Sequence, residues 1–294
     1  MSFLCLIQTK IKYSQLEIQQ FASPGDRFLL IYQLGIEFIA AFYGCLYAGV
    51  IAVPVYPPAE KKLVDKLQAV IENSSPKLIL SKGEIVDQIK KLKYIKALKN
   101  IAFVNSLMRN FLKNANELTQ WDFHKFKWIN TEQLSDNLVH EFKEIIIKPE
   151  SIAFFQYTSG STGHSKGVMI SHLNLLSNLE FINQYHQARP DTVIIIWLPP
   201  YHDMGLIGGI LYPIFVGKPV YLMSPLTFLR NPFTWLKAIT DFKGTTTSAH
   251  NFAYALCNKK ISSEMKTQLD LSTMHFFLNG AEPVKANIIN EFSQ

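Results

Sequence analysis

Cysteine is scarce in this 294-residue sequence, and the cysteines present stand far apart. The three are Cys5, Cys45 and Cys257. Because a disulfide framework needs paired cysteines and a zinc site needs ligands at short spacing, neither is predicted. The composition predicts a reduced, cytoplasmic setting and no dedicated metal cluster.

The sequence also shows no pattern of a leader or a membrane span. Its beginning, MSFLCLIQTKIKYSQ, has neither a basic start nor a small-residue cleavage site, which argues against a signal peptide. The longest apolar run, residues 28–56, is interrupted by Gln33, Gly35 and Glu37. We interpret this run as strand, helix and strand, and expect no membrane span.

Acidic residues are few between Glu60 and Lys113. Five acids face twelve basic residues there, and this surplus accounts for the whole net charge of +6. The lysines alternate with Leu63, Leu67 and Val70 at helical spacing, which is typical of the solvated face of amphipathic helices. No nucleic-acid motif accompanies them, so we expect no nucleic-acid partner; an anionic partner at this face is the alternative.

What the sequence does contain is a regular alternation of strand-like and helix-like segments. Strands are predicted at 27–32, 50–55, 77–80, 101–104, 152–160, 167–172, 192–200, 219–223 and 245–249, and helices at 35–49, 60–74, 84–98, 173–186, 205–217 and 231–242. The sequence closes with MHFFLNGAEPV at 274–284 and the opening of a further helix. Short turns between these strands and helices imply parallel pairing with right-handed crossovers, and hence an α/β fold. We predict a first α/β subdomain at 1–150, with an irregular connector at 105–127, and a second at 151–294.

The segment YTSGSTGHSKG, residues 157–167, is the most unusual in composition. It follows an apolar strand and combines five serines and threonines, three glycines and Lys166. Glycines let a backbone approach a ligand closely, and successive N–H groups in such a loop form an anion-binding concavity. With the hydroxyls and the lysine, this chemistry suits a polyphosphate.

The residues of this segment argue against three other interpretations. A Walker A loop needs glycine before the lysine and Ser or Thr after it, but Ser165 and Gly167 stand there. A nucleophile elbow needs glycine two residues before the serine, but Ser159 precedes Ser161. A flexible Ser/Gly linker is disfavoured by Lys166 and by the strands on both sides.

Three segments of the chain resemble motifs of a known family. The stretch YTSGSTGHSKGVMISHLNLLSN is similar to the phosphate loop of adenylate-forming enzymes, which include acyl-CoA synthetases, nonribosomal peptide adenylation domains and luciferases. WLPPYHDMGLIGG at 197–209 and LNGAEPV at 278–284 resemble the next two motifs, in the same order. The residues of these three motifs, together with GCLYAGVIAVPVYPP at 44–58, resemble the corresponding segments of the fatty acyl-AMP ligases. The resemblance implies the large N-terminal domain of that fold, with two mostly parallel sheets flanked by helices.

The resemblance also assigns roles to individual residues. Lys166 and His202 would be catalytic, and Asp203, Met204 and Gly205 would join His202 at the fatty-acid substrate. The nucleotide-binding residues would be Thr158, Ser159, Gly160, Ser161, Thr162, Gly163 and Lys166 at the phosphates, and Asn279, Gly280, Ala281 and Glu282 at the adenine. Two plainer interpretations stay open: a satisfied core histidine at His202, and a strand-ending turn at the Asn-Gly pair.

The implied reaction is ATP-dependent activation of a fatty acid to an acyl-adenylate, within lipid biosynthesis. ATP with Mg²⁺ would be required, and an acyl carrier protein or a polyketide synthase would accept the acyl group. Compared with the family, the sequence has Ser165 where proline is usual, an incomplete start and no C-terminal mobile domain with its catalytic lysine. We therefore expect a truncated, inactive fragment or one completed by a further C-terminal polypeptide. A fatty acyl-CoA synthetase fragment and a non-catalytic nucleotide- or acyl-binding remnant are the alternatives.

Overall fold

The computed structural model describes residues 3–57, 61–87, 126–132, 144–159 and 165–294. The chain divides into two compact units, Met1–Leu173 and Asn174–Gln294. The sequence predicted this division after residue 150. The structure places it later, because the strands at 152–159 and 165–171 belong to the sheet of the first unit.

The first unit contains a six-stranded sheet. Its elements are α1 (Phe3–Phe21), β1 (Arg27–Ile31), α2 (Ile36–Tyr47), β2 (Ile51–Val55), α3 (Lys61–Ser74), β3 (Leu78–Ser81), β4 (Lys127–Asn130), β5 (Ile152–Ser159) and β6 (Ser165–Ser171). The strand order is β4-β3-β1-β2-β5-β6. All neighbours pair in parallel except β5 and β6, which pair antiparallel.

The central strands of this sheet form the core of the unit. β1, β2 and β3 are apolar runs buried along almost their whole length, as expected for parallel strands covered on both faces. Phe42 of α2 packs edge-on against Phe154 of β5, with ring centroids 5.5 Å apart. This contact and the β2–β5 pairing anchor β5 in the buried centre.

The predicted elements from β1 to β3 are confirmed, with shifts of a few residues at their ends. Two elements were not predicted: helix α1, and strand β4, which begins at the last residue of the expected connector. Residues 83–87 are helical, as the sequence indicated, but the rest of the helix predicted at 84–98 lies outside the described residues. The strand predicted at 101–104 and most of the connector lie outside them as well.

The second unit is built on a four-stranded sheet. Its elements are α4 (His172–His186), β7 (Ile194–Ile196), a π-helix (Met204–Leu211), α5 (Tyr212–Phe215), β8 (Val220–Leu222), α6 (Pro225–Arg230), α7 (Phe233–Phe242), β9 (Thr246–Ala249), α8 (Asn251–Lys260), α9 (Ser263–Lys266), β10 (Phe276–Asn279) and α10 (Ala286–Phe292). The strand order is β10-β9-β7-β8, and every pair is parallel. The strands predicted at 192–200, 219–223 and 245–249 are confirmed, and so are the helices α4, α7 and α10. The helix predicted at 205–217 is a π-helix followed by α5, whereas α6, α8 and α9 were not predicted.

Parallel pairing gives this second sheet one edge at which all four strands end. The chain leaves β7 toward Tyr201 and His202, leaves β9 at His250, and leaves β10 at Gly280. Ligands of open α/β sheets bind at the carboxyl ends of the strands. The fold therefore collects the candidate residues of the second unit at this edge.

Candidate functional site

The predicted phosphate loop lies at the tip of the β5–β6 hairpin in the first unit. Thr158 pairs with Lys166 across the two strands, and both side chains are exposed. Opposed residues of antiparallel strands have Cβ atoms about 5 Å apart, so this pairing brings the hydroxyl and the ammonium to the mouth of the loop. Four predicted ligands lie outside the described residues, and a fifth is described in its backbone alone; they are Gly160, Ser161, Thr162 and Gly163, and Ser159 respectively.

The base of this hairpin explains the last glycine of the motif. Gly167 pairs with Tyr157, and a Cβ at Gly167 would come within 2.8 Å of the tyrosine ring. Only glycine leaves room for the ring to cross the strand pair. The Tyr157 hydroxyl then donates a hydrogen bond of 2.5 Å to Asn73 Oδ1 on α3. The sequence had assigned Gly167 no role beyond its place in the motif.

In the second unit, His202 and Asp203 follow β7 and open the π-helix. The His202 Nδ1 atom lies 2.7 Å from the Asp203 carboxylate, and the Met204 N–H donates to the same carboxylate at 2.7 Å. The hydrogen bond from His202 lowers the pKa of Asp203, so this carboxyl is ionised at neutral pH. Nδ1 therefore carries the proton, and Nε2 of His202 is left for a ligand.

The glycine after Met204 is required by a close backbone contact. A Cβ at Gly205 would lie 2.2 Å from the carbonyl oxygen of Pro199. Gly205 lies in the first turn of the π-helix, and π geometry is rare and frequently marks functional sites. Gly205 thus allows the first turn of this helix to pack against the segment that follows β7.

The predicted adenine segment begins at the end of β10. Asn279 donates from Nδ2 to Asn251 Oδ1 at 3.3 Å, while its own Oδ1 is buried with no partner among the described residues. Ala281 has a φ of 66°, a left-handed conformation that turns the chain. Glu282 accepts a hydrogen bond of 2.8 Å from the Phe252 N–H. A Cβ at Gly280 would lie 3.7 Å from the Met204 sulfur, so the two predicted groups of residues are neighbours.

His250 is part of this edge and was missed by the sequence analysis. Its ring lies edge-on to the His202 ring, with centroids 5.1 Å apart. Its Nδ1 is 3.1 Å from the Gly280 carbonyl oxygen, which can only accept, so Nδ1–H donates. The one signal in the sequence was its position directly after a predicted strand, since every strand of a parallel sheet ends at the same edge.

An apolar groove of about 240 Å³ runs along one face of this sheet. Alternate residues of the strands line it, as expected for side chains on one face: Ile194, Ile196, Thr246, Ser248, Phe276 and Leu278. Helix α4 covers it with Phe181, Tyr185 and His186. The groove is open on the β10 side, where Phe276 and Leu278 are exposed by 37% and 43%.

Comparisons with known proteins place the chain in a family. Residues 16–294 match the family of AMP-binding enzymes, so the chain belongs to that family. It adopts the α/β fold of the adenylate-forming ligases. Within the described residues, none of the helices combines the length and the apolar composition that crossing a membrane requires.

Three relatives illustrate the likeness. A medium-chain-fatty-acid–[acyl-carrier-protein] ligase of Moorena producens is 32% identical over 97% of this chain and 45% of its own length. A putative fatty-acid–CoA ligase of Mycobacterium tuberculosis is 32% identical over 94% of this chain and 44% of its own. The crystal structure of a fatty acyl-adenylate ligase from L. pneumophila, in complex with acyl adenylate and pyrophosphate, is 42% identical with a TM-score of 0.84, over 100% of this chain and 47% of that one. The chain thus spans somewhat less than half the length of these relatives.

Proposed function

We propose that this chain carries the ATP- and acid-binding part of a ligase that activates a fatty acid to an acyl-adenylate. The observation that carries the proposal is the apolar groove, whose lining runs along the second sheet as far as Ser248 and Leu278, two residues before His250 and Gly280. A fatty acid has a matching division between an apolar tail and an ionised head. Its tail would occupy the groove, and its carboxylate would reach His202.

Buried polar atoms without partners support a polar ligand at this edge. Asn279 Oδ1 and Ser248 Oγ are both buried, and neither has a hydrogen-bond partner among the described residues. An orphaned buried polar group costs about 1–3 kcal/mol, which a ligand can recover. Asn279 Oδ1 is an acceptor and the exocyclic amine of adenine is a donor, whereas the Ser248 hydroxyl can donate to a carboxylate.

In the proposed reaction, a carboxylate oxygen attacks the α-phosphorus of ATP. The bond from that phosphorus to the bridging oxygen breaks, and pyrophosphate leaves with the electron pair. Lys166 and Thr158 would hold the β- and γ-phosphates and stabilise the charge of the leaving group. His202, oriented by Asp203, would place Nε2 against the carboxylate or the α-phosphate. Mg²⁺ would accompany ATP and neutralise part of its charge; the described residues contain no group of three or more His, Cys, Asp or Glu that would hold it alone.

The proposal also concerns the acceptor to which the acyl group is transferred. The Moorena relative is named for transfer to an acyl carrier protein, and the mycobacterial relative for transfer to coenzyme A. We favour a carrier protein, alone or within a polyketide synthase, in the cytoplasm. Coenzyme A is the alternative, and supplying each acceptor to the completed enzyme would distinguish them.

Binding and turnover are tested separately, because the chain spans under half of its relatives. We expect the 294-residue chain to bind ligands but to show no fatty-acid-dependent exchange of pyrophosphate into ATP until a C-terminal polypeptide completes it. Robust exchange by the purified chain, lost in Lys166→Ala, would contradict the expected inactivity while supporting the site. Ligand binding without exchange, even after completion, would favour the non-catalytic remnant.

The direct test of the site is calorimetric titration with Mg²⁺ and adenosine 5′-(β,γ-imido)triphosphate. We expect saturable binding that weakens about tenfold in Lys166→Ala, since a charge-assisted hydrogen bond contributes about 1.5–3 kcal/mol. Lys259→Ala is the matched control, because Lys259 is an exposed lysine at the end of α8. Equal binding by the wild type and Lys166→Ala, or none by either, would overturn the assignment of the hairpin.

A further inference from the structure

The two ends of the apolar groove differ in how their polar groups are satisfied. Near the carboxyl edge, Ser248 Oγ is buried with no partner among the described residues. At the other end, His186, Tyr212 and Thr246 line the groove, and His186 is hydrogen-bonded to each of the other two. The end near the carboxyl edge therefore has a hydroxyl available to a ligand, whereas the polar groups at the other end bond within the protein.

The donors and acceptors of the closed end can be assigned. Tyr212 donates its hydroxyl hydrogen to Asn183 Oδ1 at 3.1 Å, so its oxygen accepts from His186 Nδ1–H at 2.8 Å. Nε2 of His186 is then the acceptor, and the Thr246 hydroxyl donates to it at 2.8 Å. Burial lowers the pKa of His186, which agrees with this neutral tautomer. We call these four residues the His186 network: Asn183, His186, Tyr212 and Thr246.

The register of the sheet places the network at the far end of the groove. Thr246 begins β9 and pairs with Phe276 of β10 and Ile194 of β7. Ser248 pairs with Leu278 one row closer to His250 and Gly280. The His186 ring also packs edge-on against Phe276 at 5.1 Å, so the network and this aromatic ring form one wall.

The length of the groove follows from strand geometry. Thr246 and His250, which lies beside His202, are four residue steps apart, and these steps span about 13 Å at roughly 3.3 Å each. A carbon–carbon bond of about 1.5 Å advances an extended chain by roughly 1.3 Å, so this span holds about ten carbons. A longer acid would have to displace His186 or leave the groove on its open side.

We propose that the His186 network is the floor of the acyl groove and selects fatty acids of about ten carbons. This inference rests on the proposed function, because it takes the groove to be the acyl site. The network is specific to length for a physical reason: both ring nitrogens of His186 are hydrogen-bonded, so an apolar chain end pushed against them would break these bonds without replacement. The side chains of the floor thus exclude the chain end in two ways: they occupy the space, and displacing them would break hydrogen bonds.

Fatty-acid binding to the purified chain tests the floor directly. Displacement of 1-anilinonaphthalene-8-sulfonate by octanoate, decanoate and tetradecanoate gives the three affinities. For the wild type, we expect about a fourfold gain per methylene up to decanoate and no further gain at tetradecanoate. In His186→Ala, we expect the affinity ratio of tetradecanoate to decanoate to rise by about tenfold, because the floor opens by several methylene volumes.

The controls separate specificity from folding. His172→Ala removes a second half-buried histidine from the same helix, at its other end and outside the groove lining, and should leave the ratio unchanged. Tyr212→Phe keeps the ring but removes the acceptor of His186 Nδ1–H; it should raise the ratio by a smaller factor and serves if His186→Ala fails to fold. A purely structural role would weaken all three acids equally.

Two results would overturn the inference, and they are distinguishable. Binding of all three acids with the same length profile in the wild type and both network variants would refute the floor alone. No binding of any acid by the folded wild type would refute the acyl groove, and with it the proposed function.

Discussion

In the first unit, β1, β2 and β3 are buried almost completely, whereas in the second unit the strand β10 alternates between exposed and half-buried residues. The difference follows from position in the sheet, because β10 is an edge strand whereas β1, β2 and β3 are interior strands. The interior strands β7 and β9 of the second sheet are buried like those of the first. In the first sheet, the apolar side chains of β1, β2 and β3 are buried in the core of the unit. The second leaves Phe276 and Leu278 beside an open groove. The contrast indicates that the interior strands of the first sheet stabilise its core, whereas the edge strand of the second borders the groove.

The same substitution in each sheet tests this division most strongly. Phe154→Ala removes a fully buried ring that packs on Phe42, and should lower the free energy of unfolding of the first unit by about 3–5 kcal/mol. Phe276→Ala removes a ring that is 37% exposed, and should cost roughly 1 kcal/mol or less while weakening decanoate binding.

Urea unfolding measures both variants. The fluorescence of Trp128 reports on the first unit, and that of Trp197 and Trp235 on the second, in single-tryptophan backgrounds. Equal losses of stability in the two variants, or intact decanoate binding in Phe276→Ala, would remove the proposed division between the sheets.

A second prediction sharpens the comparison within the binding unit. Gly205→Ala would place a methyl group 2.2 Å from the Pro199 carbonyl oxygen, and overpacking of this kind costs about 1–3 kcal/mol. Gly208→Ala is the matched control in the same helix, because nothing lies within 4 Å of its added Cβ. It should be neutral or stabilising by up to about 1 kcal/mol. Thermal unfolding followed by circular dichroism would show whether the two variants differ; identical midpoints would mean that the contact between the start of the π-helix and Pro199 relaxes at no measurable cost in stability.

The sequence predicted the first sheet better than the site, for a physical reason. Strands β1 to β3 are continuous apolar runs between helices of clear period, and such patterns are local. Strand β4 has only four residues, KWIN, which is too short a pattern to indicate a strand. Helix α1 is no less periodic than α2, and it was missed because its segment was interpreted only as a possible leader.

For the site, motifs predicted which segments would meet but not how they meet. Asp203 and Met204 were predicted at the substrate, and the structure adds that Asp203 orients His202. His250 belongs to no motif, and its contact with His202 depends on the shared edge of the parallel strands. The His186 network depends on the register of β9 and on side-chain rotamers, neither of which a linear pattern contains.

The smallest expected effect concerns a partly buried carboxyl group in the first unit. Glu17 lies on α1, and burial raises its pKa from 4.5 to about 7. Its Oε2 atom has no hydrogen-bond partner among the described residues. Because the folded chain holds this proton between pH 4.5 and 7 and the unfolded chain does not, the free energy of unfolding falls as the pH rises through that window.

Glu17→Gln should remove this slope and stabilise the first unit above pH 7 by about 1 kcal/mol, an amount reduced from the full linkage value because the carboxyl is partly solvated. Urea unfolding followed at Trp128 between pH 5 and 8.5 would measure it, with Glu84→Gln as the control at an exposed position of the same unit. If the wild type and Glu17→Gln keep parallel pH profiles, Glu17 is not held as a buried acid, and the first unit is less tightly closed around α1 than the contacts of α1 with α2 imply.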